Sequence, residues 1–181
     1  MTSATTSTAM ALIVLAAMSF DTLPTAHVDA DFIFRTCKKT NNVVVCLAML
    51  SADPKSAYAT TEHDLTRIAL EIAISTVYNN DRVIAELAEE KEGTPEGDAL
   101  LVCHNAYLGA DNNLNLQAHV AFEYADYVGA SKVVSLAKGV GDACENAFKR
   151  INKKSPVTGI DRQMTEHCDV TADLMDLLVP K

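Results

Sequence analysis

Mostly apolar side chains recur at alternating spacings of three and four residues over two long stretches, and this repeat constrains the fold more than any other feature. Such a repeat puts its side chains on one face of a helix, which packs beside its neighbours in a bundle. The first stretch contains Leu100, Cys103, Tyr107, Ala110, Leu114, Gln117, Ala121 and Tyr124. The second contains Val134, Ala137, Gly141, Cys144, Phe148 and Ile151. We therefore expect two long helices that lie side by side.

Two further helical patterns flank this pair. One runs from Thr61 to Lys91, and Thr61 with Asp64 three residues later approximates a capping box. The other comes after Ser155-Pro156 and repeats Ile160, Met164, His167, Thr171, Leu174 and Leu178. The chain has only 7 glycines and 5 prolines in 181 residues, so it offers few points at which a helix is broken. The sequence predicts an all-α fold in which residues 61–181 form an up-down four-helix bundle.

A shorter pair of helices is predicted before the bundle. The apolar cluster over residues 32–50 is interrupted at Thr40-Asn41-Asn42, and Ser51-Ala52-Asp53-Pro54 ends it. Residues 31–60 should therefore form an N-terminal helical hairpin.

The turns between the long helices are predicted at Gly93–Gly97, Tyr124–Asp126 and Ser155–Pro156. Cys103 lies 21 residues before Tyr124, which is about 31 Å of helix. For Cys144 to lie level with Cys103, the third long helix must begin near Asp126, a residue type that favours the N-cap. We expect a very tight turn at this point.

Residues 1–30 have the pattern of a secretory signal peptide. A run of 12 predominantly apolar residues covers 9–20, which suits a signal core and is too short to span a bilayer comfortably. Small residues allow cleavage after Ala30 or after Ala26, although no Lys or Arg precedes the core. Because no later run approaches 18 apolar residues, we expect a secreted protein whose mature form, residues 31–181, makes no contact with a membrane.

Secretion favours disulfide bonds among the five cysteines, and their odd number leaves one of them unpaired. Cys37 and Cys46 face each other across the turn of the hairpin, and Cys103 and Cys144 lie on the repeats of two neighbouring helices. Cys168 is then a buried free thiol, with an intermolecular disulfide as the alternative.

Composition and motifs argue against several functions. The net charge of −9 disfavours nucleic-acid binding, which requires a basic surface. The five histidines are scattered and share no ligand spacing with the cysteines, so we expect no metal site. No nucleophile motif, phosphate loop or dinucleotide fingerprint occurs, so we expect neither a cofactor nor an enzyme activity. A protein that binds another protein is the better hypothesis.

Five short motifs occur in order along the chain. They are Thr36–Thr40 with Cys46, Leu50–Ser56, Cys103 with Tyr107 and Ala110, Cys144-Glu145 with Phe148, and Ser155–Thr158. Together they resemble the landmarks of the plant invertase and pectin methylesterase inhibitor family over about residues 34–178. Within that family, Ala52–Ser56, Asp126-Tyr127 and Ser155–Thr158 are most similar to the plane-tree pollen allergen type.

The resemblance implies a fold and a function. The fold is a helical hairpin on a four-helix bundle, with disulfides between the first and second and between the third and fourth cysteines. The function is 1:1 inhibition of a secreted carbohydrate-modifying enzyme by occlusion of its active-site cleft, outside the cell in the plant cell wall. Neither a cofactor nor a metal takes part.

The resemblance leaves the target enzyme open. The Pro-Lys-Phe triplet of cell-wall invertase inhibitors is replaced here by Tyr127-Val128-Gly129. The S-A-A-L-T motif of pectin methylesterase inhibitors is replaced by Ser135–Gly139. The acidic charge favours pectin methylesterase, because many of these enzymes are basic and opposite charge speeds association. Invertase is the alternative target, and an abundant secreted pollen protein without a target is the second alternative.

Members of this family contact their targets through the second to fourth bundle helices. The polar residues on these helices supply seven candidate contacts: Asn105, Asp111, Asn112, Asn115, Glu123, Asp126 and Asp142.

Overall fold

The structure, a computed structural model, describes residues 30–180, and every regular element among these residues is helical. The predicted signal peptide lies outside the described residues except for Ala30, which is the first residue of α1 (Ala30–Cys37). After a turn at residues 38–42, α2 (Val43–Ala52) completes the predicted hairpin. Asn42 caps α2, since its side-chain oxygen accepts a hydrogen bond from the Val45 N–H.

Four long helical segments come after a short 3-10 helix over Pro54–Tyr58. The first bundle helix is α3 (Glu62–Glu90), and the second comprises α4 (Pro95–Asn113), a π-helical turn (Leu114–Ala118) and α5 (His119–Glu123). The third comprises α6 (Tyr127–Ala137) and α7 (Val140–Arg150), and the fourth is α8 (Thr158–Asp176). Consecutive bundle helices pack together, and α3 also packs on α8. The prediction of an all-α fold with a hairpin and a four-helix bundle is confirmed. Over the stretch that the structure describes, no helix is long and apolar enough to cross a membrane.

The first bundle helix begins with the capping box that the sequence indicates. The Thr61 hydroxyl accepts a hydrogen bond from the Asp64 N–H at 3.1 Å, and the Asp64 carboxylate accepts one from the Thr61 N–H at 2.9 Å. A further backbone hydrogen bond from Thr60 is the main reason why the pKa of Asp64 lies below its usual value. The turn predicted at residues 93–97 is shorter than expected. Helix α4 already begins at Pro95, because Thr94 caps it and proline suits a first helical position.

The predicted repeat of the second bundle helix is correct as far as Leu114 and wrong beyond it. Ala118 and Phe122 are the next buried residues, whereas Gln117 and Tyr124 are exposed and Ala121 is only partly buried. The π-helical turn causes this difference. A π turn contains one residue more than an α turn, so the residues after it face the core one position later.

The tight turn predicted at Tyr124–Asp126 is confirmed. Helix α5 ends at Glu123, and the Asp126 carboxylate caps α6 by accepting a hydrogen bond from the Gly129 N–H at 2.9 Å. Phe122 closes this end of the bundle, because its ring contacts those of Tyr127 and His63 at centroid distances of 5.6 and 4.7 Å.

The third bundle helix is not continuous, contrary to the prediction from its repeat. Lys138 and Gly139 separate α6 from α7, although the repeat from Val134 to Phe148 stays buried. Gly139 is a weak helix former. Gly141, two residues later, lies so close to α8 that a Cβ atom would stand 2.9 Å from the Cβ of Asp161.

Both pairs of cysteines lie where the helices meet. Cys37 and Cys46 are bonded across the hairpin with their Cα atoms 5.5 Å apart, and Cys103 and Cys144 join the second and third bundle helices at 4.6 Å. The hairpin packs on α3 and α8, where the backbone and side chain of Asn41 donate to the Asp173 carboxylate at 2.7 and 2.8 Å.

Candidate functional site

The structure does not bring the seven predicted contact residues together on one surface. Asn105 and Asn112 are exposed on the face of α4 that points away from the core. Asp111 and Asn115 lie on the side of the second bundle helix that faces α3, and both are partly buried. The other three are exposed at separate places: Glu123 at the end of α5, Asp126 in the next turn and Asp142 in the first turn of α7.

Asp111 and Asn115 form part of a polar seam between α3 and the second bundle helix. The Asn115 amide donates to the Asp111 carboxylate at 2.7 Å, and Asp81 and His104 are joined at 2.7 Å farther along. Burial, and then repulsion from Asp81, raise the pKa of Asp111, while the Asn115 hydrogen bond opposes this increase. The polar atoms of these side chains therefore form hydrogen bonds mainly with one another.

Glu123 and Asp126 also have partners within the chain. Glu123 lies 3.7 Å from the Nε of Arg67 on α3 and 3.9 Å from the Nε2 of His119. Asp126 is occupied as the N-cap of α6. A target protein would meet these two carboxylates already engaged in holding the turn.

The outward face of the second bundle helix carries a feature that the sequence reasoning missed. Six large apolar side chains of this helix are exposed, of which Val102 lies beside α7. We call the other five the apolar stripe: Leu101, Leu108, Leu116, Val120 and Tyr124. Leu116 and Tyr124 are the most exposed, at 68% and 83%. Leu116, Val120 and Tyr124 follow one another at intervals of four residues, about one helical turn each, whereas Asn105 and Asn112 lie between the leucines nearer the start of the helix. The spacing of seven from Leu101 to Leu108, opposite the buried repeat, is the sequence signal that could have found it.

The segment that bears the apolar stripe is acidic in composition. Residues 95–131 include no Lys or Arg but five carboxylates: Glu96, Asp98, Asp111, Glu123 and Asp126. At its amino-terminal end Glu96 pairs with Lys153 at 3.2 Å. At its other end Glu123 lies 3.7 Å from Arg67 of α3. The excess of carboxylates in this segment favours a partner that carries Lys or Arg around an apolar centre.

The fifth cysteine is fully buried. Cys168 is a free thiol in the bundle core, and burial is the main cause that raises its pKa to about 12. A buried thiol with a raised pKa stays protonated, so Cys168 acts as a small apolar core residue rather than as a nucleophile. Within residues 30–180, no group of three or more His, Cys, Asp or Glu side chains could hold a metal ion.

Known proteins resemble this chain in sequence and in fold. A curated pectinesterase inhibitor from Actinidia deliciosa is 24% identical over 168 residues, which are 92% of this chain and 90% of the relative. The crystal structure of mutant form A of a pectin methylesterase inhibitor from Arabidopsis matches with a TM-score of 0.67 at 20% identity, over 80% of this chain and 95% of that one. A pectin methylesterase inhibitor from Arabidopsis thaliana matches with a TM-score of 0.61 at 19% identity, over 84% and 99% of the two chains.

These two structures share the fold of this chain. The family described as plant invertase/pectin methylesterase inhibitor matches residues 31–174, which is most of the chain and includes all four bundle helices almost to the end of α8. The motifs, the helical hairpin on its bundle and this match agree, and the chain belongs to the plant invertase/pectin methylesterase inhibitor family.

Proposed function

We propose that the protein inhibits a pectin methylesterase by forming a 1:1 complex that occludes the active-site cleft of the enzyme. The curated relative and both structural neighbours carry names of pectin methylesterase or pectinesterase inhibitors. The net charge of −9, which becomes −7 when Asp21 and Asp29 are removed with residues 1–30, suits a basic target enzyme. The segment over residues 1–30 supports secretion, and the proposed site of action is the plant cell wall.

The docking surface in this proposal is the apolar stripe together with Asn105 and Asn112, which lie on the same outward face of α4. The observation that carries it is the exposure of five large apolar side chains on a segment without Lys or Arg. Protein interfaces combine an apolar centre with a polar rim, and aromatic side chains contribute strongly to their affinity. A second copy of this chain fits less well, because two acidic surfaces repel each other.

Within this proposal, the predicted acidic contacts act mainly through their charge. Asp111, Glu123 and Asp126 have partners within the chain, as does Asn115, and Asp142 lies on α7 outside the segment that bears the stripe. Their carboxylates attract a basic enzyme and accelerate the encounter, whereas the stripe supplies most of the buried contact area.

Two tyrosines of similar exposure provide a matched test of the docking surface. Tyr124 is 83% exposed in the stripe, and Tyr58 is 78% exposed at the end of the 3-10 helix that comes after the hairpin. We expect Tyr124→Ser to raise the inhibition constant for a plant pectin methylesterase about tenfold or more, because an aromatic anchor is lost. Tyr58→Ser should leave the constant within about twofold of the unsubstituted protein.

The same assay separates the alternatives. Inhibition by the unsubstituted protein with equal weakening by both substitutions would place the docking surface elsewhere and leave the function standing. Inhibition of a cell-wall invertase instead of pectin methylesterase would identify the other target of the family. Inhibition of neither enzyme would favour a secreted protein without an inhibitory target.

A further inference from the structure

The fourth bundle helix contains a carboxylic acid inside the core, and neither the resemblance nor the proposed inhibition makes use of it. Asp161 lies in the first turn of α8 and is only 4% exposed. Its Oδ1 accepts a hydrogen bond from the Tyr107 hydroxyl at 2.9 Å, while its Oδ2 is buried without a hydrogen-bond partner among the described residues. A buried carboxylate with one acceptor atom unsatisfied is costly, whereas the protonated acid gains a donor at that atom.

The neighbouring helices surround this acid with neutral or negative groups. From α7 it is faced by the carboxyls of Asp142 and Glu145, and from α4 by the phenol of Tyr107. On α3 the Asn80 amide interacts with Tyr107 and donates to the Ile160 carbonyl at 3.4 Å. On α8 itself, the thiol of Cys168 interacts electrostatically with the Tyr107 hydroxyl.

Packing leaves the acid little room to relax toward solvent. Gly141 on α7 approaches Asp161 so closely that a Cβ atom there would stand 2.9 Å from the Asp161 Cβ. Glu145, which interacts with Asp161, is held from its other side by the Thr158 hydroxyl at 2.6 Å. The carboxyl of Asp161 is thus enclosed where α7 and α8 meet.

We infer that Asp161 is a pH-sensitive lock, which joins α8 to α7 while it holds a proton and weakens this joint when it loses the proton. In the protonated form, Asp161 accepts from Tyr107 and has an O–H to donate toward the Glu145 carboxylate. After ionisation, the proton passes to solvent, and the Asp161 carboxylate faces the carboxylates of Glu145 and Asp142. The contribution of Asp161 to the stability of the bundle should therefore fall as the pH rises toward neutrality.

The direction of this effect is set by proton linkage. Burial is the largest cause that raises the pKa of Asp161, from 3.8 to about 7, with the charge of Glu145 in the same direction and the Tyr107 hydrogen bond opposing it. Between these two values the folded protein binds more protons than the unfolded chain, so the free energy of unfolding falls as pH rises from about 4 to about 7. Above about pH 7, the contribution of Asp161 to the free energy of unfolding no longer changes with pH.

Thermal unfolding of the purified protein between pH 5 and pH 8 tests the lock. Asp161→Asn keeps the acceptor for Tyr107 and adds a neutral donor toward Glu145, so its melting temperature should lack most of the decrease with pH. We expect the unsubstituted protein to lose roughly 5–10 °C more than this variant over the range. Glu90→Gln, which removes an exposed carboxyl at the end of α3, is the control and should behave like the unsubstituted protein. An equal pH dependence in the Asp161→Asn variant would overturn the inference.

A second measurement requires no substitution of the buried acid. Carbon-13 NMR of the side-chain carboxyls should show Asp161 titrating with a midpoint near 7, well above that of an ordinary aspartate. Glu145→Gln removes the neighbouring negative charge and should move this midpoint to lower pH. A midpoint below about 5 in the unsubstituted protein would show that Asp161 is ionised in acid and that no lock exists.

Discussion

Ala125 occupies the left-handed region of the backbone map, with φ at 58°, in the turn between α5 and α6. This region is unfavourable for a residue with a Cβ atom, and only glycine adopts it freely. The turn holds the alanine because Asp126 caps the next helix immediately and Phe122 packs against Tyr127 on the core side. These capping and packing contacts therefore hold Ala125 in an unfavourable conformation and keep the connection between α5 and α6 short.

Ala125→Gly should stabilise the protein by about 1 kcal/mol, since the left-handed conformation then costs nothing. The matched control is Ala85→Gly within α3, which should destabilise by about 1 kcal/mol because glycine is a poor helix former. Urea unfolding followed by circular dichroism measures both changes. A loss of stability in Ala125→Gly would mean that the turn is not strained as described.

Individual residues were predictable where their role depends on the local sequence. Thr61 and Asp126 cap helices because helix-forming residues come directly after them, and both act as the sequence indicates. The burial of Asp161 was missed because the predicted repeat of the last helix ran through Ile160 and His167. Met164, Thr171 and Leu174 of that repeat are buried as expected, but the buried face of α8 is wider and also includes Asp161, Cys168 and Met175. The width of a buried face depends on the neighbouring helices, which the sequence of a single helix does not encode.

At the scale of elements, the second bundle helix shows how one extra residue changes what a repeat predicts. Its π-helical turn over Leu114–Ala118 moves the buried face from Ala121 to Phe122 and turns Tyr124 toward solvent. The existence of the helix and its boundaries were predictable from apolar spacing and caps. The π turn has no comparable local signal, so the register of the helix beyond Leu114, and with it the exposure of Tyr124, could not be predicted.

Deletion of single residues tests the role of the π turn. Removal of Leu116 should convert the turn to a regular α-helix in which Leu114, Ala118 and Phe122 keep spacings of three and four, so the bundle should still fold with unchanged helix content. Removal of Leu108 instead rotates Ala110 and Leu114 by about 100° relative to Cys103 even when the π turn relaxes to an α turn, so it should destabilise the bundle strongly. Circular dichroism measures the helix content of the two deletion variants, and thermal unfolding measures their stability. Equal damage from both deletions would contradict the predicted role of the turn.

For the whole molecule, the order of helices, the hairpin and the two cysteine pairs were accessible from the sequence, because long repeats and cysteine positions report helix packing directly. The contact surface was harder to predict from the sequence. Seven polar residues were singled out as contacts, yet four have partners within the chain and a fifth, Asp142, lies on a different helix segment. The exposed apolar stripe, which depends on how the helices are arranged, emerged only from the structure.

The most direct test of the proposed function is a titration of enzyme activity. A basic plant pectin methylesterase near pH 5 should lose activity in proportion to the added protein and reach a minimum at one equivalent. A cell-wall invertase assayed in parallel should keep its activity. Because this protein is acidic and the enzyme is basic, raising the salt concentration should slow the onset of inhibition. Full pectin methylesterase activity in the presence of several equivalents of correctly folded, disulfide-bonded protein would contradict the proposal.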